Sequence, residues 1–262
     1  MTDRDCMKPV CATLTLPDPA TLMAEFGKRA LQTKSLARYL DAFARGTFVY
    51  PDGRFDPLKG VGITPSQAAL VSHLALGCPS QLSFETGFGM GTSATVILGT
   101  RHSLGRPFEH FAFDPSVLPE QRGLVTALYL SNEFEDHFRM VRERSEIGAA
   151  KLLDERGRRA AGLIFIDGSH HMETVMTDFR LADLLCCYGG FIVFDDAAYP
   201  AIETVINYIR CNRADYAVAH LPVPNMSVLQ KRGPDLREWY TFTPFPVPDR
   251  LDWTPTRRDI DP

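Results

Sequence analysis

Two hydrophobic periods alternate along the chain. Short apolar runs at 82–86, 108–114, 137–142, 162–167 and 190–195 read as strands, and the segments that follow them, 92–100, 119–130, 146–156, 171–186 and 199–212, carry helical spacing. Such alternation predicts parallel βαβ units in an α/β, doubly wound sheet. The runs Gly162-Leu163-Ile164-Phe165-Ile166 and Phe191-Ile192-Val193-Phe194 are continuously apolar, as central strands covered on both faces must be. Runs at 215–220 and 226–231 are separated by Pro222 and Pro224 with no helix between them, which predicts a closing antiparallel pair.

Upstream of this array, Leu22, Phe26, Leu36, Leu40 and Phe43 recur at near-helical spacing with Lys28, Arg29, Lys34, Arg38 and Arg45 between them, so one or two amphipathic helices with a solvated basic face are expected. Gly46 to Gly62 reads as a turn-rich loop. Pro65 opens a further helix whose apolar stripe holds Ala69, Leu70, Leu74 and Leu76, with His73 as a packing histidine and Gly77 as the stop. The tail from Pro244 is irregular. This divides the chain into an N-terminal helical extension or lid (1–63), a core (64–231) and a C-terminal tail packing on the core (232–262).

With 262 residues, 45% of them hydrophobic, the chain can bury one large core. A formal charge of −4 gives no electrostatic reason to seek nucleic acid or an anionic membrane, so a small-molecule substrate is favoured. No apolar run approaches the roughly 18 residues of a membrane span, and the start Met1-Thr2-Asp3-Arg4-Asp5 lacks the basic and apolar segments of a signal peptide. A cytoplasmic location is therefore expected. The six cysteines include no C-x-x-C pair and are read as reduced and structural.

The chemistry begins at Glu85-Thr86-Gly87-Phe88-Gly89-Met90-Gly91, a glycine-rich turn between a strand and a helix. Its glycines permit positive φ and close approach of a ligand to the backbone, while Thr92 or Ser93 can cap the new helix. A dinucleotide fingerprint needs a glycine three places after Gly89, where Thr92 stands. Glu85 would also repel a pyrophosphate, whereas it suits the cationic amino and sulfonium groups of S-adenosylmethionine.

Ligands of an open α/β sheet bind beyond the carboxyl ends of its strands. Four of the five ends carry acids here: Glu85, Asp114 before Pro115, Asp167, and Asp195 with Asp196. Asp114 is placed to accept hydrogen bonds from a ribose. After the third strand Arg144 and Ser145 open a helix, where Ser145 could cap it, contact adenine, or do both. Asp167, Asp195 and Asp196 come from neighbouring strands about 5 Å apart, and three converging carboxylates call for a cation or a proton. Mg²⁺ suits an all-oxygen set; caps or substrate acceptors without metal are the alternative. His170 is the preferred general base at this rim, with His171 in reserve.

Taken together, E-T-G-F-G-M-G, F-D-P, L-I-F-I-D-G-S-H-H and G-G-F-I-V-F-D-D resemble class I S-adenosylmethionine-dependent methyltransferases over roughly residues 64–231, and most closely the small-molecule O-methyltransferases of the catechol and macrolide-sugar types. The resemblance implies a seven-stranded sheet in the order 3-2-1-4-5-7-6 with the seventh strand antiparallel. It implies Mg²⁺ on Asp167, Asp195 and Asp196, and a catalytic lysine or histidine three places after Asp167, which is His170. It places the methyl donor on Glu85, Thr86, Gly87, Phe88, Gly89, Gly91, Thr92, Ser93, Asp114, Pro115, Arg144, Ser145 and Asp167. Asp196 stands where the catechol type has asparagine. The expected activity is methyl transfer to a hydroxyl of a small molecule. A metal-independent N-methyltransferase, a nicotinamide-dependent oxidoreductase and a non-catalytic binding module are the alternatives, and the N-terminal extension is a candidate for a lid or a homodimer contact.

Overall fold

The computed structural model describes residues 9–58, 61–116 and 123–249. Along them run β1 (Ala12–Thr13), α1 (Pro19–Ala30), α2 (Lys34–Arg45), β2 (Thr47–Val49), β3 (Phe55–Pro57), α3 (Pro65–Leu76), β4 (Leu82–Thr86), α4 (Thr92–His102), β5 (Glu109–Phe113), α5 (Leu124–Glu133), β6 (Phe138–Val141), α6 (Ser145–Arg156), β7 (Ala161–Ile166), α7 (Met172–Leu185), β8 (Cys186–Phe194), α8 (Pro200–Asn212), β9 (Tyr216–Val223) and β10 (Met226–Lys231). The start of the helix expected at 119–130 falls partly outside the described residues.

The main sheet has eight strands in the order β1-β9-β10-β8-β7-β4-β5-β6. Read from β6 to β9 this is the expected 3-2-1-4-5-7-6 order, and β10, antiparallel to both β8 and β9, is its reversed strand. The count of seven is corrected by β1, which pairs in parallel with the edge of β9 through Ala12–Ala217 and Thr13–Val218. It covers an edge that would otherwise offer unpaired backbone groups. The segment 46–62 also holds more order than a loop: β2 and β3 pair there as a short hairpin.

Helices cover both faces. On one, α6, α7 and α8 pack Leu152, Phe179, Val205 and Ile209 against Phe84, Ile164, Ile192 and Phe194 of the sheet. On the other, α1, α2 and α3 place Leu22, Phe26, Leu36, Leu70 and Leu74 in one cluster with Phe165 and Val193. Alternation along β7 and β8 thus feeds both layers, which is why these strands carry no polar face. Helix α1 begins where the Asp18 carboxylate accepts from Thr21 N at 3.0 Å, and α2 ends on Gly46 in a left-handed cap. No described helix is long and apolar enough to cross a membrane.

The parallel register aligns Thr86 with Phe113 and Ile166, and Ile166 with Phe194. The next residue on each strand continues the ladder: Gly87 N donates to Phe113 O (2.8 Å), Asp167 N to Thr86 O (2.9 Å) and Asp195 N to Ile166 O (3.1 Å). Backbone hydrogen bonds therefore set Gly87, Asp114, Asp167 and Asp195 along one rim.

Candidate active site

The glycine turn takes the left-handed backbone its sequence predicts, with φ of 82° at Gly87, 49° at Gly89 and 72° at Gly91. A Cβ on Gly87 would stand 2.0 Å from the carbonyl oxygen of Asp167, so the turn and the end of β7 touch through bare backbone. Gly91 itself is the N-cap of α4, without a side-chain cap. Thr92 and Ser93 are used otherwise than as caps: Thr92 Oγ1 accepts from Ile63 N at 3.1 Å, and Ser93 Oγ donates to Glu85 Oε2 at 2.6 Å.

Asp114 fixes the turn from the neighbouring strand. Its Oδ2 accepts from the amides of Phe88 and Gly89, each at 3.0 Å, and its Oδ1 from Ser116 N at 2.7 Å. These bonds leave part of the carboxylate's acceptor capacity for a ligand.

Beside this turn opens a cleft of about 510 Å³, lined by Gly87, Gly89, Asp114, Pro115, Arg144, Ser145 and Asp167 among the residues expected from the sequence. Phe113, Ser116, Glu146, Gly168, Ser169, His171 and Thr174 complete it. Glu85, Thr86, Phe88, Gly91, Thr92 and Ser93 do not line it. They face away from it within the turn or lie behind it, Glu85 with no exposed surface and Phe88 packed toward Phe138. Ser145 is the first residue of α6, not its cap, which is Arg144.

At the mouth of β7 the acids gather. Burial, followed by the charges of Asp195, Asp196, Glu85 and Asp114, pushes the Asp167 carboxyl well above the usual carboxylate range. Asp167, His170 and Asp196 can each offer a ligand atom within 4.8 Å of the others. Asp195, expected as a metal ligand, is not one of these three; its Oδ1 accepts from Gln67 Nε2 at 2.9 Å.

His170 Nε2 lies 3.1 Å from Asp196 Oδ2, and its ring tilts against Tyr199 with centroids 4.5 Å apart. Asp196 stands at φ 51°, a left-handed position uncommon for a residue with a side chain, and Asn225 holds it there. Asn225 Nδ2 donates to Asp196 Oδ1 at 2.5 Å, while its Oδ1 and backbone oxygen accept from the amides of Ala198 and Ala197. Gln67 ties the same corner to α3, since its Oε1 accepts from Thr64 N and its Nε2 also reaches Pro224 O. The sequence pattern does not single out Gln67, Tyr199 or Asn225, although Pro222 and Pro224 mark the turn that carries Asn225. The reserve base His171 lines the cleft as the N-cap residue of α7.

Residues 84–197 match the family model described as a methyltransferase domain. No curated protein sequence matches the chain. Among solved structures, a Corynebacterium glutamicum protein superposes with a TM-score of 0.57 at 18% identity over 78% of this chain and 92% of its own. The S-adenosylhomocysteine-bound methyltransferase PaMTH1 of Podospora anserina gives 0.54 at 14% identity over 84% and 91%. The O-methyltransferase TomG of Streptomyces achromogenes, involved in tomaymycin synthesis and in complex with S-adenosylmethionine, gives 0.52 at 15% identity over 66% and 82%. At these identities the likeness is one of fold, and it agrees with the sheet order; over residues 84–197 the chain is similar to the methyltransferase-domain family.

Proposed function

We propose that the chain transfers a methyl group from S-adenosylmethionine to a hydroxyl of a small molecule, with His170 as general base. The observation that carries the reading is the place of Asp167, which both lines the cleft beside the glycine turn and stands within reach of the His170–Asp196 pair. Donor and acceptor sites thus meet at one residue. Asp114 and the glycine turn would hold the donor's nucleoside, and Ser145 the adenine edge. When bound, the donor would present a sulfonium-linked methyl whose carbon an oxygen lone pair attacks in line, the O–C bond forming as the C–S electrons pass to sulfur and S-adenosylhomocysteine leaves.

The chain's own contribution is placement and proton transfer. With Nε2–H donating to Asp196, the neutral imidazole of His170 keeps Nδ1 as the acceptor for the hydroxyl proton. Three titratable groups within 4.8 Å favour a second form of the same reading, in which Asp167 and Asp196 hold a divalent cation such as Mg²⁺. That ion would lower the hydroxyl's pKa and relieve the crowding of carboxylates. His170 is then either base or ligand, and a nitrogen ligand would favour a softer ion than Mg²⁺. The N-terminal extension, the C-terminal tail and the loop around Pro222-Val223-Pro224-Asn225 are the segments proposed to select the acceptor.

Calorimetric titration with S-adenosylmethionine, with Mg²⁺ and again with chelator, tests this. Saturable one-site binding, followed by methyl transfer to a hydroxyl library, is the expected result. Binding of NADH in its place would overturn the reading, and turnover unchanged by chelation would remove the metal from it.

A further inference from the structure

Behind the glycine turn lies a chain of buried polar groups that neither the cleft nor the acceptor corner uses. Ser83 and Glu85 on β4, His110 on β5 and Ser93 on α4 are all at most 3% exposed. Ser83 Oγ lies 3.2 Å from Glu109 O and 3.0 Å from His110 Nδ1; with its hydroxyl proton turned to the ring it donates to Nδ1, which leaves Nε2 as the protonated nitrogen. On the far side of the ring, His110 Nε2 faces Glu85 Oε1 at 3.6 Å, and the second carboxylate oxygen accepts from Ser93. Nε2 and Oε1 are each buried without a hydrogen-bond partner, and each has the other as its charged-pair neighbour.

Two facing buried acceptors would be repulsive, and each would be left without its hydrogen bond. A proton on the line between them removes the conflict, with a shift of a few tenths of an ångström. Ser93 is the second residue of α4, the helix that the glycine turn opens, and Glu85 stands two residues before Gly87. The position of this carboxylate therefore bears on the turn from both ends.

We propose that His110 is a positioning residue: its Nε2–H donates to Glu85 Oε1, holds that carboxylate against Ser93, and so fixes the glycine turn and the negative charge beneath it. The cofactor consequence rests on the reading that this turn holds S-adenosylmethionine. Glu85 meets that cation from below, as a buried charge with a fixed direction, and His110 touches no ligand.

The test has two parts. In the unliganded wild-type chain, nitrogen-15 NMR of the imidazoles, with the His110 signals identified by their loss in His110→Gln, is expected to show a slowly exchanging proton on Nε2. An unprotonated Nε2 overturns the proposal, whatever the protein binds. The second part uses two amides that separate the ring's nitrogens. In His110→Gln the side-chain amide reaches the place of Nε2, whereas in His110→Asn it reaches that of Nδ1. Calorimetry is expected to give His110→Gln an S-adenosylmethionine Kd within about threefold of wild type and His110→Asn one raised about tenfold, the neutral S-adenosylhomocysteine being affected less. Equal losses in the two variants, or a greater loss in His110→Gln, overturn it. Failure of the wild-type chain to bind the donor counts against the proposed function and leaves the NMR result standing by itself.

Discussion

Asp196 Oδ2 accepts the Nε2 edge of His170 at 3.1 Å, from a backbone held left-handed by Asn225. Under the proposed function the pair would act as orienter and base, the carboxylate selecting the tautomer and the free nitrogen taking the proton. Asp196→Asn keeps the shape but offers an amide that can donate to Nε2, which moves the ring proton to Nδ1 and removes the acceptor. Turnover is expected to fall by about 10²–10⁴ in His170→Ala and by a similar order in Asp196→Asn, with donor Kd within about threefold. Single-turnover methyl transfer measured beside calorimetry checks this. A His170→Ala variant at full turnover would sink the base assignment.

Gln67 joins three elements at one point. It closes the capping box of α3 with Thr64, donates to Asp195 and reaches Pro224 of the β9–β10 turn. Gln67→Ala removes the donor that directs Asp195 and loosens the turn that carries Asn225, at a stability cost of about 1–3 kcal/mol. Because the cleft beside the glycine turn does not include Gln67, donor affinity should hold while kcat drops. Loss of donor binding with kcat intact would place Gln67 on the wrong side of the site.

Gly87 meets two demands at once, a φ of 82° and a Cβ position 2.0 Å from Asp167 O. The left-handed backbone alone costs an L-residue roughly 1–2 kcal/mol, and the clash is with main chain that cannot rotate away. Gly87→Ala is expected to lower the melting temperature and abolish saturable donor binding. Gly89→Ala shares the positive φ but meets nothing within 4 Å, so it should retain weakened binding. Equal behaviour of the two variants in calorimetry would refute the close-approach argument.

Much of this rim is legible in the sequence, because its cause is local. Continuous apolar runs mark β7 and β8, and the first residue past each parallel strand falls on the ligand-binding edge. What escapes has a non-local cause. Strand β1 is two residues, too short for any period, and exists because the edge of β9 is there to pair with. Gln67 lies in a helix whose pattern speaks only of packing, and its partners are 128 and 157 positions away. His110 sits in the strand run 108–114, where an inward imidazole signals a buried partner but does not say that the partner is Glu85 on the adjacent strand.

Asp178 on α7 lies 2% exposed beneath the cleft, and neither carboxylate oxygen has a hydrogen-bond partner. Burial pushes its carboxyl up to about 6, although the hydroxyls of Ser145 and Thr86 lie near enough to favour the charged form somewhat. A carboxyl raised from the unfolded value of about 3.9 binds its proton more tightly when folded, so it penalises the native state as pH rises. The penalty begins near pH 4, grows through pH 6 and then levels at about 3 kcal/mol. Asp178→Asn removes the charge and keeps the shape. It is expected to stabilise the protein by about 1–3 kcal/mol at pH 8, with a gain that shrinks toward pH 4. Urea unfolding of both proteins across this range measures the difference directly. An Asn variant less stable at pH 8, or a gain independent of pH, would mean that the carboxylate finds a partner in solution and that its burial costs the fold nothing.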